Sequence, residues 1–198
     1  MGRWEPDGRG RLEQAALALY SERGFENTTV AQIAARAGLT ERTFFRHFAD
    51  KREVLFGGAG VVQELLVRAV ADAPETAAPI EAAAAGLEAA AAPLEERREL
   101  ALQRQTVIAA NPELQERELI KLASWSAALA ETLRSRGIAD PAASLAAEAA
   151  VAAFRIAFAR WIEASNTRKF AELIRESLDQ LKAVTAGQPA EARLTPTG

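Results

Sequence analysis

The side chains best placed to do chemistry in this chain fall within one short stretch. Between positions 36 and 52, Arg36, Arg42, Arg46, Lys51 and Arg52 stand against only Glu41 and Asp50, a local balance of +3 in a chain of 198 residues whose formal net charge is −3. A locally basic segment on an acidic protein is the electrostatic footprint of docking on phosphates. Catalysis has much less to work with. The sequence has no Cys and a single His, His47, which excludes disulfides, thiolate chemistry and His or Cys clusters for a metal. It contains no glycine-rich phosphate cradle, and adjacent acids such as Glu95 and Glu96 read as solvated helix surface. The expectation is therefore a protein that is not an enzyme, with no catalytic residue, no metal site and no cofactor.

The apolar pattern around the basic stretch is that of two short helices joined by a turn. Val30, Ile33, Ala34 and Ala37 recur at helical spacing, Gly38 breaks the pattern, and Leu39, Phe44 and Phe48 anchor a second helix. Thr29 followed by Gln32 has the form of a capping box, in which side chain and backbone satisfy each other's orphan donors. Thr40 can cap the second helix, with Glu41 favourable against the helix dipole. Asp50 and Glu53 repeat the signal for a third helix. Ala34 is small where two steeply crossing helices must approach, so the stretch reads as a helix-turn-helix. Upstream, Leu12, Ala15, Ala16, Leu19 and Tyr20 mark a helix closed by Gly24, and Phe25 enters the core it shares with the next two. Arg3, Arg9 and Arg11 form either a basic arm or part of a solvated tail.

Ala, Leu, Glu and Arg dominate the remainder, and β-branched runs are absent, which points to an all-α fold. A helix from Asp50 to Val70 is interrupted by Gly57, Gly58 and Gly60, each costing about 1 kcal/mol relative to Ala. Two readings stand: a hinge, or a place where another backbone packs closely. Further helices are expected at 79–92, ended by Pro93, at 94–110, at 112–136, from 141 to about 164, and at about 167–186. In the fourth of these, Ala142, Ala146, Ala149, Ala153 and Ala157 make a ridge of small residues. In the last, Phe170, Leu173, Ile174, Ser177, Leu178, Leu181 and Val184 make a seam of the coiled-coil kind. The N-terminus lacks the apolar core of a secretory signal, and charges interrupt every greasy stretch, so the expected location is cytoplasmic with no membrane partner.

The segments RGF at 23–25, TTVAQIAARAGLTERTFFRHF at 28–48 and the DKREVLF that follows resemble TetR-type transcriptional regulators, over about residues 9–56. The resemblance implies an N-terminal three-helix helix-turn-helix DNA-binding domain at 1–50, and a C-terminal helical effector-binding and dimerisation domain at 51–186. A disordered tail follows at 187–198, and the helices number about nine. Its implied partners are double-stranded operator DNA, a second copy of the chain through the last two helices, and a hydrophobic or amphipathic small-molecule effector, an acyl thioester being one class. The implied function is that of a homodimeric repressor released from its operator by ligand. The alternative is a DNA-bound interaction protein with the same module and no effector.

The resemblance puts Thr29 and Thr40 near DNA phosphates and Glu41, Arg42, Thr43 and Arg46 on the exposed face of the recognition helix, whose amino end enters the major groove. Arg42 can then pair with guanine O6 and N7, a contact worth about 1 to 3 kcal/mol of discrimination. Arg46 meets either a base or a phosphate, and Thr43 either a thymine methyl or a phosphate. Phe45 stands where tyrosine is usual, which removes a hydroxyl contact and leaves ring packing. His47 either donates to a phosphate near Lys51, itself expected on the backbone, or makes a structural hydrogen bond. The C-terminal half resembles the family mainly in helix layout. There Trp125, Phe154, Phe158 and Trp161 either line an effector cavity, with Arg104, Gln105 or Asn111 orienting a polar group, or are core and dimer seam.

Overall fold

The computed structural model describes residues 8–187. Arg3 of the possible basic arm, and all of the expected tail beyond Gly187, lie outside the described residues. Those residues form helices and turns with no strand among them: α1 (Gly8–Arg23), α2 (Val30–Arg36), α3 (Glu41–His47), α4 (Glu53–Phe56), α5 (Ala59–Ala71), α6 (Pro79–Glu95), α7 (Arg98–Ala109), α8 (Pro112–Ser135), α9 (Ala142–Trp161) and α10 (Phe170–Thr185). Only Gly57 and Gly58 part α4 from α5, so the two count as one interrupted helix and give the nine expected. Packing divides the described residues into two compact units that interleave along the chain, residues 8–62 with 97–122, and residues 63–96 with 123–187. Packing thus groups α7 and the start of α8 with the residues expected to form the DNA-binding domain.

The first unit is built on the inner faces of α1 to α4. Leu12, Ala16, Ile33, Ala34, Phe44, Phe48, Leu55 and Phe56 share one buried cluster, and Val107, Ile108 and Leu114 from α7 and α8 complete it. Each large apolar side chain so buried stabilises the fold by about 1.5 to 3 kcal/mol relative to exposure. Polar ties close the joints. The buried Thr28 hydroxyl donates to the Gly24 carbonyl at 2.9 Å, and the Tyr20 hydroxyl donates to the Lys51 carbonyl at 2.6 Å. Burial, reinforced by the Asp50 carboxylate, pushes the Tyr20 phenol far above its ordinary value.

Charged residues of α7 and α8 grip α4. Arg104 donates through Nε to the Leu55 carbonyl at 2.5 Å and through a terminal nitrogen to Glu118 at 2.5 Å, while its guanidinium lies 4.9 Å from the Phe56 ring centre. Arg117 sits 5.5 Å from that ring and pairs with Glu53, and Arg52 pairs with Asp50 and Glu113. Gly57 belongs to the same packing. Arg9 donates to its carbonyl, and a Cβ there would stand 3.0 Å from the Phe48 ring. A Cβ at Gly58 or Gly60 would meet nothing within 4 Å, so close approach bears on Gly57 alone, and what approaches there is the Arg9 and Phe48 side chains rather than the backbone of another element.

In the second unit α6, α9 and α10 pack on one another. The ridge of small residues on α9 is rotated from the expected one: Ala143, Ala146, Ala147, Ala150, Ala153 and Ala157 are buried, while Ala142 is exposed and Ala149 half-buried. The seam of α10 holds from Phe170 to Leu178, but Val184 is 61% exposed. Pro93 does not end α6 where expected. It lies in the last turn, where its missing N–H leaves the Ala89 carbonyl without its ladder bond, and the helix stops two residues later, at Glu95. Gly86 lets α6 meet α5, since a Cβ there would stand 2.7 Å from Val70 Cγ2 and 2.9 Å from the Leu66 carbonyl oxygen. Arg136 donates to the carbonyls of Ala71, Ala73 and Pro74 at 3.0, 2.7 and 2.7 Å, satisfying acceptors that α5 leaves open at its end. Two helical stretches, Glu53–Ala71 and Ala142–Trp161, are long and apolar enough to cross a bilayer. Within the unit, the apolar residues of Ala142–Trp161 supply core.

Candidate nucleic-acid interface

Local sequence chemistry builds the helix-turn-helix as expected. Thr29 and Gln32 form the capping box, with Gln32 N–H donating to Thr29 Oγ1 at 3.3 Å and Thr29 N–H to Gln32 Oε1 at 2.9 Å. The turn runs through Gly38 at φ +65°, a left-handed conformation that a Cβ disfavours. Arg11 of α1 pins that turn by donating to the carbonyls of Ala37 and Gly38. Thr40 caps α3 by accepting from Thr43 N–H at 3.2 Å, and the Thr40 and Thr43 hydroxyls lie 3.0 Å apart.

Burial then fixes which face α3 shows. Phe44 and Phe48 are buried at 0% and 2% exposure, with ring centres 5.6 Å apart. Glu41, Arg42, Phe45 and Arg46 form the opposite, exposed face, where Phe45 is 56% exposed and held edge-on against Phe44.

The basic stretch is more differentiated than its charge count suggested. Arg36 is spent on a two-pronged pair with Glu22 at 2.8 and 2.6 Å, a hydrogen-bonded partnership that holds the Glu22 carboxyl below its ordinary range. Arg52 is committed to Asp50 and Glu113. Lys51, expected on a phosphate, directs its ammonium at the carbonyls of Phe25, Glu26 and Thr28, at 2.8, 3.3 and 3.1 Å, and lies 4.4 Å from the Phe25 ring centre. Of the five basic side chains, Arg42 and Arg46 have no hydrogen-bond or ion-pair partner among the described residues. His47 turns inward. Its Nε2 is buried without a hydrogen-bond partner among the described residues, 3.5 Å from where a Cβ on Gly8 would stand. A shallow groove of about 480 Å³ beside the turn is walled by Arg11, Gln14, Arg36 and Gly38. Its two arginines are the ones already committed to Ala37 and Glu22.

The residues expected around an effector fall into separate units. Arg104, Gln105 and Asn111 lie in the first, where Arg104 is held at Leu55 and Glu118, and Asn111 donates to the Val107 carbonyl at 2.6 Å, closing α7. Gln105 is half-buried on the same helix. Trp125, Phe154, Phe158 and Trp161 lie in the second, gathered around a residue that sequence reasoning assigned only to a seam, Phe170. Ring centres stand 5.2 Å apart for Phe154–Phe170, 5.8 Å for Phe158–Phe170 and 4.8 Å for the stacked Trp161–Phe170 pair, with Trp125 edge-on to Phe154 at 5.5 Å. Glu118 and Lys121 went unnoticed in the sequence, although their spacing on one helix places them together. Glu118 accepts from Arg104 and Lys121, each at 2.5 Å. Burial pushes Lys121 down to about 8, with Arg104 adding to the effect. Burial would raise the Glu118 carboxyl, but the two cations hold it below its ordinary value.

Comparison with known proteins agrees with this geometry. Residues 13–56 match the model of bacterial regulatory proteins of the tetR family, and residues 77–186, more than half of the chain, match that of the MftR C-terminal domain of TetR regulators. The chain is 39% identical over 74 residues to the HTH-type transcriptional regulator TcmR of Streptomyces glaucescens, covering 37% of this chain and 33% of that protein. It is 43% identical over 47 residues to the HTH-type transcriptional repressor KstR2 of Mycobacterium tuberculosis, 24% of each chain. The matches thus span about a third and about a quarter of those curated relatives. FadR of Thermus thermophilus, a TetR-family repressor solved with lauroyl-CoA, shares the fold at a TM-score of 0.56 and 23% identity, over 96% of this chain and 100% of that one. A capped, inward-anchored recognition helix carrying two uncommitted arginines, together with both family matches, places this chain in the TetR family of bacterial transcriptional regulators.

Proposed function

We propose that the protein is a homodimeric repressor that binds a partly palindromic operator and leaves it on binding a small molecule. The observation that carries the DNA reading is the outer face of α3, where Arg42 and Arg46 are exposed and uncommitted while Phe44 and Phe48 lock the opposite face into the core. In this reading Arg42 reads guanine, Thr43 and Arg46 contact base or backbone, Glu41 lies at the rim, and the helix starts at Thr29 and Thr40 approach phosphates. DNA-binding residues 1–50 and effector-binding residues 51–186 divide the work, in a cytoplasmic protein. Leu145 and Ile156 on α9 and Val184 on α10 are 65%, 58% and 61% exposed in a single chain, and such uncovered apolar side chains suit a two-fold interface between the last helices. Lauroyl-CoA bound to FadR supports an amphipathic ligand class.

A second reading has an observation of its own. The five aromatic rings of the second unit pack against one another, as a finished core does, which favours a DNA-bound interaction protein without an effector. Selection of bound sites from random DNA tests the first claim. A palindrome is expected, and Arg42→Ala should weaken binding to it about 5- to 150-fold per half-site, from about 1 to 3 kcal/mol per contact. Unchanged affinity would remove Arg42 from base reading. Screening small molecules for release from the selected site separates the two readings, since no release across chemically broad sets favours the second.

A further inference from the structure

The phenyl ring of Phe45 is an oddity on a surface built to meet DNA. It is 56% exposed, it lies on the same face of α3 as Arg42 and Arg46, and it has no polar atom with which to meet a phosphate. Its position is not loose. The ring is braced edge-on by the fully buried Phe44, with centres 5.5 Å apart at 84°, so Phe45 presents its apolar surface outward from a fixed base. Within the major groove, the base edges offer donors, acceptors and a single apolar group, the C5-methyl of thymine. A ring that the protein leaves in water, on a helix whose amino-terminal turns enter that groove, is matched by that group and by no other on the base edges.

We infer that Phe45 is a specificity residue that reads a thymine methyl beside the guanine read by Arg42; the inference rests on the DNA-binding reading of α3. Residues three apart on a helix have Cβ atoms about 5 to 6 Å apart, and base-pair steps rise about 3.4 Å. The thymine therefore lies one or two steps from the guanine in each half-site. Thr43, whose hydroxyl is 3.0 Å from that of Thr40 at the helix start, is left to the backbone.

The test replaces each thymine of the selected operator in turn by deoxyuridine, which keeps pairing and removes only the methyl, and measures affinity with the full chain and with Phe45→Ala. Phe45→Ala tests the inference cleanly, because the side chain it truncates is mostly exposed; its thermal unfolding midpoint confirms folding. One buried methyl is worth about 0.8 kcal/mol, so deoxyuridine at one thymine per half-site should weaken the parent protein about fourfold per half-site and leave Phe45→Ala unaffected at that position. Equal binding to thymine and deoxyuridine at every position overturns the inference, as does a Phe45→Ala variant that keeps the parent's sensitivity. Loss of affinity on both operators alike places the ring on deoxyribose instead and also overturns it. These failures leave the DNA reading intact as long as Arg42→Ala still weakens the selected site. If no site is selected at all, the DNA reading itself falls, and this inference with it.

Discussion

Replacing Lys51 by Met separates two roles that a basic residue after a recognition helix can have. Met keeps most of the aliphatic stem and removes the ammonium. In the structure that ammonium donates to three carbonyls, of Phe25, Glu26 and Thr28, at 2.8, 3.3 and 3.1 Å, and stands 4.4 Å from the Phe25 ring centre. It thereby ties the segment after α3 to the turn before α2. Hydrogen bonds to a charged group contribute about 1.5 to 3 kcal/mol each, and the cation over the ring about 0.5 to 1 kcal/mol. The three bonds share one partly exposed ammonium, the Phe25 carbonyl also accepts from Thr28 N–H at 3.3 Å, and the fixed lysine gives up side-chain entropy. The expected loss is therefore about 2 to 4 kcal/mol rather than the sum. Urea unfolding of the full chain measures it. The salt dependence of operator binding measures the other role, because removing a cation from one phosphate lowers the slope of log K against log salt by about 0.9. A lock predicts a large stability loss and an unchanged slope. A slope shallower by about 0.9 per protomer, about 1.8 for the homodimer, with stability within about 0.5 kcal/mol of the parent, would refute the structural account and return Lys51 to the phosphate backbone.

Three other perturbations test the packing. Gly86→Ala should destabilise by about 1 to 2 kcal/mol, because the strain of a Cβ 2.7 Å from Val70 and 2.9 Å from the Leu66 carbonyl outweighs the gain of about 1 kcal/mol in helix propensity; a more stable variant in urea would show that α5 and α6 can part. Phe170→Ala removes the ring on which Phe154, Phe158 and Trp161 converge and should cost about 3 to 5 kcal/mol, with a shift in tryptophan fluorescence, whereas a cost under about 1 kcal/mol would mean the aromatic cluster is not the core of its unit. Burial holds Lys121 at about 8 in the fold against an ordinary 10.5, so between those values the unfolded chain binds more protons and stability from this residue rises with pH. Comparing urea midpoints at pH 7 and 9.5, the parent should gain relative to Lys121→Met, and an identical pH response in the two would show that Lys121 is solvated.

By itself the sequence determined the elements and the character of α3. Capping residues act over three or four positions, and apolar spacing acts within one helix, so Thr29 with Gln32, Thr40 at the start of α3, Gly38 in its turn and the buried Phe44 and Phe48 were all legible before any fold was known. The same local rules placed Arg42 and Arg46 outward. Tertiary structure decided which charges are spent and which aromatic residues are core. Arg36 finds Glu22, Arg52 finds Glu113, Lys51 finds three carbonyls of an earlier turn, and Arg104 finds Leu55 and Glu118. None of these partners lies within a helical turn of its cation, and a long flexible side chain takes whatever acceptor the fold brings near. Phe170 became the centre of the aromatic cluster for the same reason, since the three rings it meets belong to α9 and the Trp125 ring behind Phe154 belongs to α8. Periodicity states that a side chain is inside. Only the packing of one helix on another states what it meets there.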